Sequence, residues 1–134
     1  MRFWKKPQKI QQNPPSDFPI GTFIKTEKAH YYIAGIDKRY LIISDRILRS
    51  WSPPRIVNTT EAAVGKYRVA SRLRFRDGSL IHNLADGKIY LIVKGKRRQV
   101  MSPDVFRRIG GTVDDATTVS NKEIEMHEEG EPLS

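Results

Sequence analysis

The side chains with the clearest capacity for chemistry in this chain are arginines and lysines in two short stretches. In residues 67–76 four arginines alternate with apolar residues, and residues 96–98 are all basic. Such alternation predicts a strand with one buried apolar face and one basic face. The seven basic residues, here called the basic stripe, are Arg68, Arg72, Arg74, Arg76, Lys96, Arg97 and Arg98, and the apolar ones are Tyr67, Val69, Leu73 and Phe75.

Three interpretations of the basic stripe are open: a solvated strand face, a docking site for an acidic protein surface, or a nucleic-acid-binding surface. Residues 1–110 hold 23 Lys and Arg against 8 Asp and Glu, whereas residues 111–134 hold 1 against 7. This asymmetry is typical of chains that bind nucleic acid, an acidic protein or another copy of themselves. An acidic tail that could meet the stripe of a neighbouring copy consists of Glu123, Glu125, Glu128, Glu129 and Glu131.

Nucleic-acid binding is the second choice among the functional interpretations. A protein that binds single strands places exposed aromatic rings between its basic side chains, so that bases can stack on them. Here Tyr67 and Phe75 alternate to the face opposite the arginines, where they would fill a core. The pattern therefore favours a protein partner.

Catalysis has little support in the sequence. His30, His82 and His127 are scattered, and the chain contains no cysteine, so no metal-ligand spacing occurs. Asp114 and Asp115 are adjacent, and neighbouring carboxylates on a loop do not face each other as an acid and base pair. We expect no catalytic residue, no metal ligand and no cofactor.

The elements that must position the basic residues occur twice in the chain. Residues 88–110 resemble residues 30–52 at a constant offset of 58 positions, which places Tyr32 over Tyr90. A match of apolar and polar positions in one order predicts two tandem units. A unit of about 55 residues buries only about 60% of its surface alone, so each should lean on the other or on a partner. The predicted fold class is α+β and mainly β, with short strands, hairpins and one or two short helices in each unit.

Each unit is predicted to hold a hairpin, then a short helix, then a second capped turn. Ser44 and Ser102 are good N-caps for the two helices. A glutamate follows three residues after Asn58 and again three residues after Ser120, which is the spacing of a capping box.

The domain organisation follows from these signals. Residues 1–20 carry four of the eight prolines, which predicts an extended arm. The first unit is predicted over residues 21–64, and a basic strand over residues 65–76 links it to the second unit. The second unit, with its acidic tail, is predicted over residues 77–134. Aromatic residues beside lysines predict that the arm binds a partner. The arm anchors are Phe3, Trp4, Lys5 and Lys6.

The second copy carries an order of aromatic, apolar, basic and glycine positions at Tyr90–Ile92, Gly95–Arg98, Ser102, Pro103, Val105, Phe106, Gly110, Val119, Ser120, Glu123, Ile124, Gly130, Pro132 and Leu133. Through this order, residues 21–134 resemble a short tandem repeat of bacterial surface and secreted proteins that also occurs in bacteriophage structural proteins. The first copy departs from the pattern at Asp37 and Asp45, and lacks the Gly-x-Pro-Leu close. The resemblance implies a structural or binding module with no assigned chemistry.

The expected location follows from this resemblance and from the start of the chain. Residues 1–15 are basic but lack the apolar region and the cleavage site of a secretory signal, and no apolar run approaches the roughly 18 residues that span a bilayer. A virion component assembles in the host cytoplasm and needs no export signal. We therefore expect a small bacteriophage virion protein, of the tail, baseplate, neck or capsid, that contacts other virion proteins or further copies of itself.

Overall fold

The computed structural model describes residues 17–111 and 113–134 of the chain. Within these residues the protein has two sheets and three short α-helices, which confirms the predicted α+β, mainly β class. The predicted arm anchors Phe3, Trp4, Lys5 and Lys6 lie outside the described residues. The strands are β1 (Phe23–Lys25), β2 (His30–Ile33), β3 (Lys38–Ile42), β4 (Ile56–Asn58), β5 (Arg68–Arg72), β6 (Leu80–Asn83), β7 (Ile89–Val93), β8 (Lys96–Gln99) and β9 (Thr117–Val119). The helices are α1 (Asp45–Ser50), α2 (Pro103–Arg108) and α3 (Asn121–Ile124), and short 3-10 turns cover Ala62–Val64 and Val113–Asp115.

The described chain forms two compact units that are not continuous segments. The first comprises residues 17–43 and Pro53–Leu73, and the second comprises Ser44–Ser52 and Arg74–Ser134. Helix α1 therefore belongs to the second unit, although the strands before and after it belong to the first. The domain boundaries drawn from the sequence repeat assign α1 to residues 21–64 and so differ from these compact units.

The first unit is built on a five-stranded sheet in the order β4-β1-β2-β3-β5. β1 is antiparallel to β2 and parallel to β4, and β3 is parallel to β5. Burying a valine or isoleucine side chain contributes about 1.5–3 kcal/mol to the free energy of folding, so a core of such residues stabilises the sheet. The core residues are Ile24, Tyr31, Ile33, Val64 and Tyr67, with Phe18 and Leu41 packed against them.

Residues 17–20, predicted as the end of the arm, belong to the first unit. The backbone N–H of Phe18 donates to the hydroxyl of Tyr67 at 2.7 Å, and the two rings lie 6.2 Å apart. The compact fold thus starts earlier than the predicted boundary at residue 21.

The strand predicted over residues 67–76 is shorter than expected, and it is not half-buried. β5 has five exposed residues, and Val69 retains 51% of its accessible surface. The alternation rule fails at Val69 because β5 is the last strand of its sheet and both of its faces meet solvent. The other apolar residues of the pattern are buried outside the strand, and they are Tyr67, Leu73 and Phe75.

The second unit is built on a four-stranded sheet in the order β8-β7-β6-β9. Helix α2 begins at the predicted N-cap, since the Ser102 hydroxyl accepts from the Val105 N–H at 3.3 Å. Helix α1 begins in the same way, with the Ser44 hydroxyl accepting from the Ile47 N–H at 3.2 Å. One core cluster joins α2 to the sheet and contains Val100, Val105 and Phe106, with Leu80, Ile89, Leu91 and Leu133 packed against it.

Both units open in the same way. Gly21 donates its N–H to the Ile33 carbonyl at 2.8 Å, and Gly78 donates to the Ile92 carbonyl at 2.7 Å. Their φ angles are +97° and +92°, in the left-handed region that favours glycine. Equivalent residues at the start of the two units are therefore 57 positions apart.

The constant offset of 58 residues is wrong before the hairpin tips. Tyr31 pairs with Ile24 as Tyr90 pairs with Ile81, so Tyr31 and not Tyr32 corresponds to Tyr90. The cause is the first hairpin, where five residues separate Ile33 from Arg39, whereas four separate Ile92 from Arg97. The offset of 58 holds from this arginine to the end of the following helix, and it is 60 for Leu73 and Leu133.

The two units also close in the same way. Leu73 donates its N–H to the Leu41 carbonyl at 2.9 Å, and Leu133 donates to the Gln99 carbonyl at 2.8 Å. β5 runs parallel to β3, and the end of the chain makes parallel bridges to β8 and Val100. Residues 68–73, predicted as a link between units, thus serve as the closing strand of the first.

Of the two predicted capping boxes, only the second forms. Ser120 accepts from the Glu123 N–H at 3.3 Å, and the Glu123 carboxylate accepts from the Ser120 N–H at 2.9 Å. Asn58 instead ends β4, and Thr60 accepts from the Ala63 N–H at 3.1 Å. The prediction at Asn58 was wrong because pairing with β1 keeps that residue extended.

Candidate interaction surfaces

The basic stripe is divided between the two units. Arg68 and Arg72 lie on β5 in the first unit, whereas Arg74 and Arg76 belong to the second unit, as does β8 with its three basic residues. The seven side chains were predicted as one surface.

The exposed basic residues of the first unit lie on β5, and residues 68–72 are called the edge surface below. Arg68 and Arg72 are exposed, and no ion pair between described residues involves either of them. In the sheet of described strands, β5 has a neighbour on one side only. A strand with a free side presents N–H and C=O groups to which another strand can pair.

The basic residues of β8 contact the acidic tail of the same chain. Arg98 donates from Nε to the Glu131 carbonyl at 2.7 Å, Lys96 lies 4.0 Å from the Glu128 carboxylate, and Arg97 lies 3.8 Å from that of Glu129. One possibility drawn from the sequence was that the tail meets the basic stripe of a neighbouring copy. For these glutamates the partner lies within their own unit, while Glu125 is exposed at the end of α3.

Arg97 has a structural role that its position in the basic stripe did not reveal. Its guanidinium lies 5.6 Å from the centre of the Tyr90 ring and donates to the carbonyls of Ile124 and His127. In the first unit, Arg39 lies 4.4 Å from the centre of the Tyr31 ring and donates to the Val64 carbonyl at 2.5 Å. In both units, an arginine at the same position of the hairpin donates hydrogen bonds to backbone carbonyls of a later turn.

Glu123 is the centre of a buried polar cluster in the second unit. Its carboxylate accepts from Arg46 Nη2 at 2.7 Å, from the Ser44 hydroxyl at 2.7 Å and from the Ser120 hydroxyl at 2.9 Å. The Glu123 side chain is only 3% exposed. Since Ser44 and Arg46 begin α1, this one carboxylate fixes the start of that helix to the N-terminus of α3.

The environment of Glu123 keeps its carboxylate charged. Burial alone would raise the pKa of this carboxyl, but hydrogen bonds from Arg46, Ser120 and Ser44 outweigh burial and hold the pKa at about 2. The buried charge is thus compensated by several donors, as a buried carboxylate requires. The sequence had indicated Glu123 only as a cap and as part of the acidic tail.

His127 is a second buried polar residue of the same unit. Its Nε2 accepts from the Phe75 N–H at 3.1 Å, and its Nδ1 lies 2.7 Å from the Gly95 carbonyl. The ring must therefore be neutral, with the proton on Nδ1. Burial lowers its pKa below the ordinary 6.5, and the charges of Arg74 and Arg97 lower it further. Its counterpart in the first unit is Tyr67, which accepts from Phe18.

A groove lies between α1 and the sheet of the second unit, and it is called the second groove below. Its volume is about 450 Å³. Trp51 Nε1 donates to the Arg74 carbonyl at 2.9 Å, and the Ser50 hydroxyl accepts from the Arg76 N–H at 3.2 Å. The lining includes Arg46, Arg49 and Ser50 from the α1 side and Phe75, Gly78, Ser79, Leu80, Asp115 and Thr117 from the rest of the unit.

These features contain no arrangement suited to metal chemistry. Among the described residues, no group of three His, Asp or Glu side chains could hold a metal ion. None of the helices in the described part of the chain is long and apolar enough to cross a membrane.

No protein-family model matches the chain, and no curated protein sequence matches it either.

Two residues that organise the second unit, Arg46 and His127, had no role predicted from the sequence, whereas Phe75 was expected to fill a core and is buried. The motif Phe-x-x-Gly-Ser/Thr, at Phe18 and again at Phe75, was the available signal for the start of each unit. Nothing comparable indicates that Arg46 pairs with Glu123, because the two residues are 77 positions apart.

Proposed function

We propose that this protein is a non-enzymatic assembly protein, a small component of a bacteriophage virion that docks on larger subunits. The observation that supports this function best is the edge surface, a basic and exposed strand with a free side. An acidic strand of another virion protein could pair with β5, while its carboxylates meet Arg68 and Arg72. The resemblance of residues 21–134 to a repeat found in bacteriophage structural proteins supports the placement in the virion. The site of action would be the particle, assembled in the host cytoplasm.

The double variant R68E/R72E tests the edge surface. We expect the copy number of the protein in purified particles to fall about tenfold or more, because two repulsive charges would each cost about 1 kcal/mol or more at a complementary interface. The measurement is quantitative mass spectrometry of particles against their major structural protein. The wild-type protein should be present in a fixed ratio.

A matched control is K88E/K122E, which makes the same change of charge at exposed positions of the second unit. This control should leave incorporation unchanged. Absence of the wild-type protein from purified particles, or equal incorporation of R68E/R72E and the control, would contradict the proposal.

Nucleic-acid binding is the second candidate, favoured by the exposure of Arg68 and Arg72 without a carboxylate partner among the described residues. A filter-binding titration at two salt concentrations separates the candidates. A nucleic-acid protein that neutralises several phosphates loses affinity steeply with salt, by about 0.9 in log affinity per phosphate and per log unit of salt. We expect weak binding to duplex DNA by the assembly protein.

A further inference from the structure

The first unit has a groove at the place that corresponds to the second groove. It is called the first groove here and has a volume of about 540 Å³. Equivalent residues of the two units, by the hydrogen bonds and strand registers described above, line both grooves. The equivalent pairs are Phe18 and Phe75, Gly21 and Gly78, Thr22 and Ser79, Phe23 and Leu80, Arg55 and Asp115, and Val57 and Thr117.

The two grooves differ in what covers them. Three residues from the helix α1 segment line the second groove, and Trp51 and Ser50 bond to the backbone of residues 74–76. No helical residue lines the first groove in the described part of the chain. The fold therefore repeats a groove beside which a helix can lie, and among the described residues no helix lines the groove of the first unit.

Helix α2 is the counterpart of α1 and is more exposed at its C-terminal end. Ile109, at the position of Trp51, lines the second groove and still retains 37% of its accessible surface, and Met101 retains 52%. Arg108 is exposed, whereas Ser50 at the same position is half-buried. An exposed pair of large apolar residues flanking a short helix suits a surface that another molecule covers.

The charges of helix and groove are exchanged between the two units. In the second unit, Arg46 on α1 and Asp115 line the same groove. At the equivalent positions, α2 carries Asp104 and the first groove carries Arg55. Asp104 forms an exposed ion pair with Arg107 of its own helix. Because exposed ion pairs contribute little to stability, Asp104 can exchange this partner for another at small cost.

We propose that the first groove binds helix α2 of a second copy of this chain. The contact would be heterologous, because groove and helix are different surfaces of one molecule, and each bound copy would offer a further groove or helix. Ala63 stands where the second unit has Glu123, so the buried ion pair of α1 is not repeated. The intermolecular contact should therefore be weaker than the seating of α1, and reversible.

The test is sedimentation velocity of the full-length chain over about a hundredfold range of concentration. We expect concentration-dependent association in the wild-type protein. The single variants R55D and D104R should each weaken it about tenfold, because each places like charges together. The double variant R55D/D104R should restore it, because the exchanged charges are again complementary.

The controls K88D and D37R make the same changes of charge at exposed positions outside groove and helix, and they should associate as the wild type does. Wild-type protein that stays monomeric overturns the inference, and so does a double variant no better than the singles. A monomer that associates only after deletion of residues 1–16 would assign the groove to the chain's own N-terminal segment and would also overturn the inference.

The inference rests on the proposed assembly function, but the two can fail separately. A monomer that still enters particles would contradict the inference and leave the proposed function standing.

Discussion

Replacement of Glu123 by alanine should lower the free energy of unfolding of the protein by about 3 kcal/mol. The variant E123A removes a buried carboxylate from Arg46, Ser44 and Ser120 and leaves the Ser120 N–H without its acceptor. Breaking a buried charged pair on one side costs about 3–5 kcal/mol, and the partial exposure of Arg46, 45% at its side chain, places this case at the lower end. The measurement is urea unfolding followed by circular dichroism.

The matched control is E125A, at an exposed glutamate two residues away on the end of the same helix. We expect it to change the free energy of unfolding by less than about 0.5 kcal/mol. A double-mutant cycle with R46A should return a coupling energy above about 1 kcal/mol between residues 46 and 123. Equal stability of E123A and E125A would show that the cluster does not hold α1 in the second unit.

The repeat could be read from the sequence because its signals are local. The N-caps at Ser44 and Ser102 and the basic pair after each hairpin depend on neighbouring residues, and the structure places helix starts where Ser44 and Ser102 predict them. The register could not be read in this way. One extra residue in the first hairpin and two fewer between Ile24 and Tyr31 change the offset twice before Arg39, and the strand pairing reveals both changes.

The closing strands were missed for a different physical reason. The two closing segments have dissimilar sequences, apart from a leucine that donates the equivalent backbone hydrogen bond in each; they are residues 68–73 and 128–133. Their sequences differ because the segments lie at sheet edges, where most side chains face solvent. Edge positions constrain the backbone more than the side chain. A pattern of side chains therefore indicated a half-buried strand at Val69, which the structure leaves exposed.

The candidate surfaces could not be predicted without knowing which segments contact each other in the fold. The distribution of charge identified both the basic stripe and the acidic tail, but it does not show which basic residues already contact acidic residues of the same chain. β8 and Glu128–Glu131 pair within the second unit, whereas Arg68 and Arg72 have no carboxylate partner among the described residues. The difference arises because the tail lies along β8 as the closing segment of its own unit, beside the basic side chains of that strand.

Acidification should destabilise the protein through two groups, His127 as pH falls below 6.5 and Glu123 as pH falls below 4.5. The pKa of His127 is lowered in the folded state, so its contribution to stability is complete above the ordinary value of 6.5 and is lost as pH falls toward the folded pKa. Protonation at Nε2 removes the acceptor for the Phe75 N–H, and it places a new charge near Arg74 and Arg97. The pKa of Glu123 falls from 4.5 to about 2, so its contribution is lost between those values.

The variant H127Q isolates the contribution of His127, because a glutamine can accept from Phe75 and donate to Gly95 without titrating. We expect the free energy of unfolding of the wild type to fall below pH 6.5 with a slope of at most about 1.4 kcal/mol per pH unit, the limit for one proton. In H127Q this slope should vanish above pH 4.5, and the loss below 4.5 should remain. In E123Q the loss of stability that begins below pH 6.5 should persist, while the loss below pH 4.5 should become smaller. Identical pH profiles for the wild type and H127Q would mean that protonation of His127 is not linked to unfolding, and that its bond to Phe75 does not depend on the neutral ring.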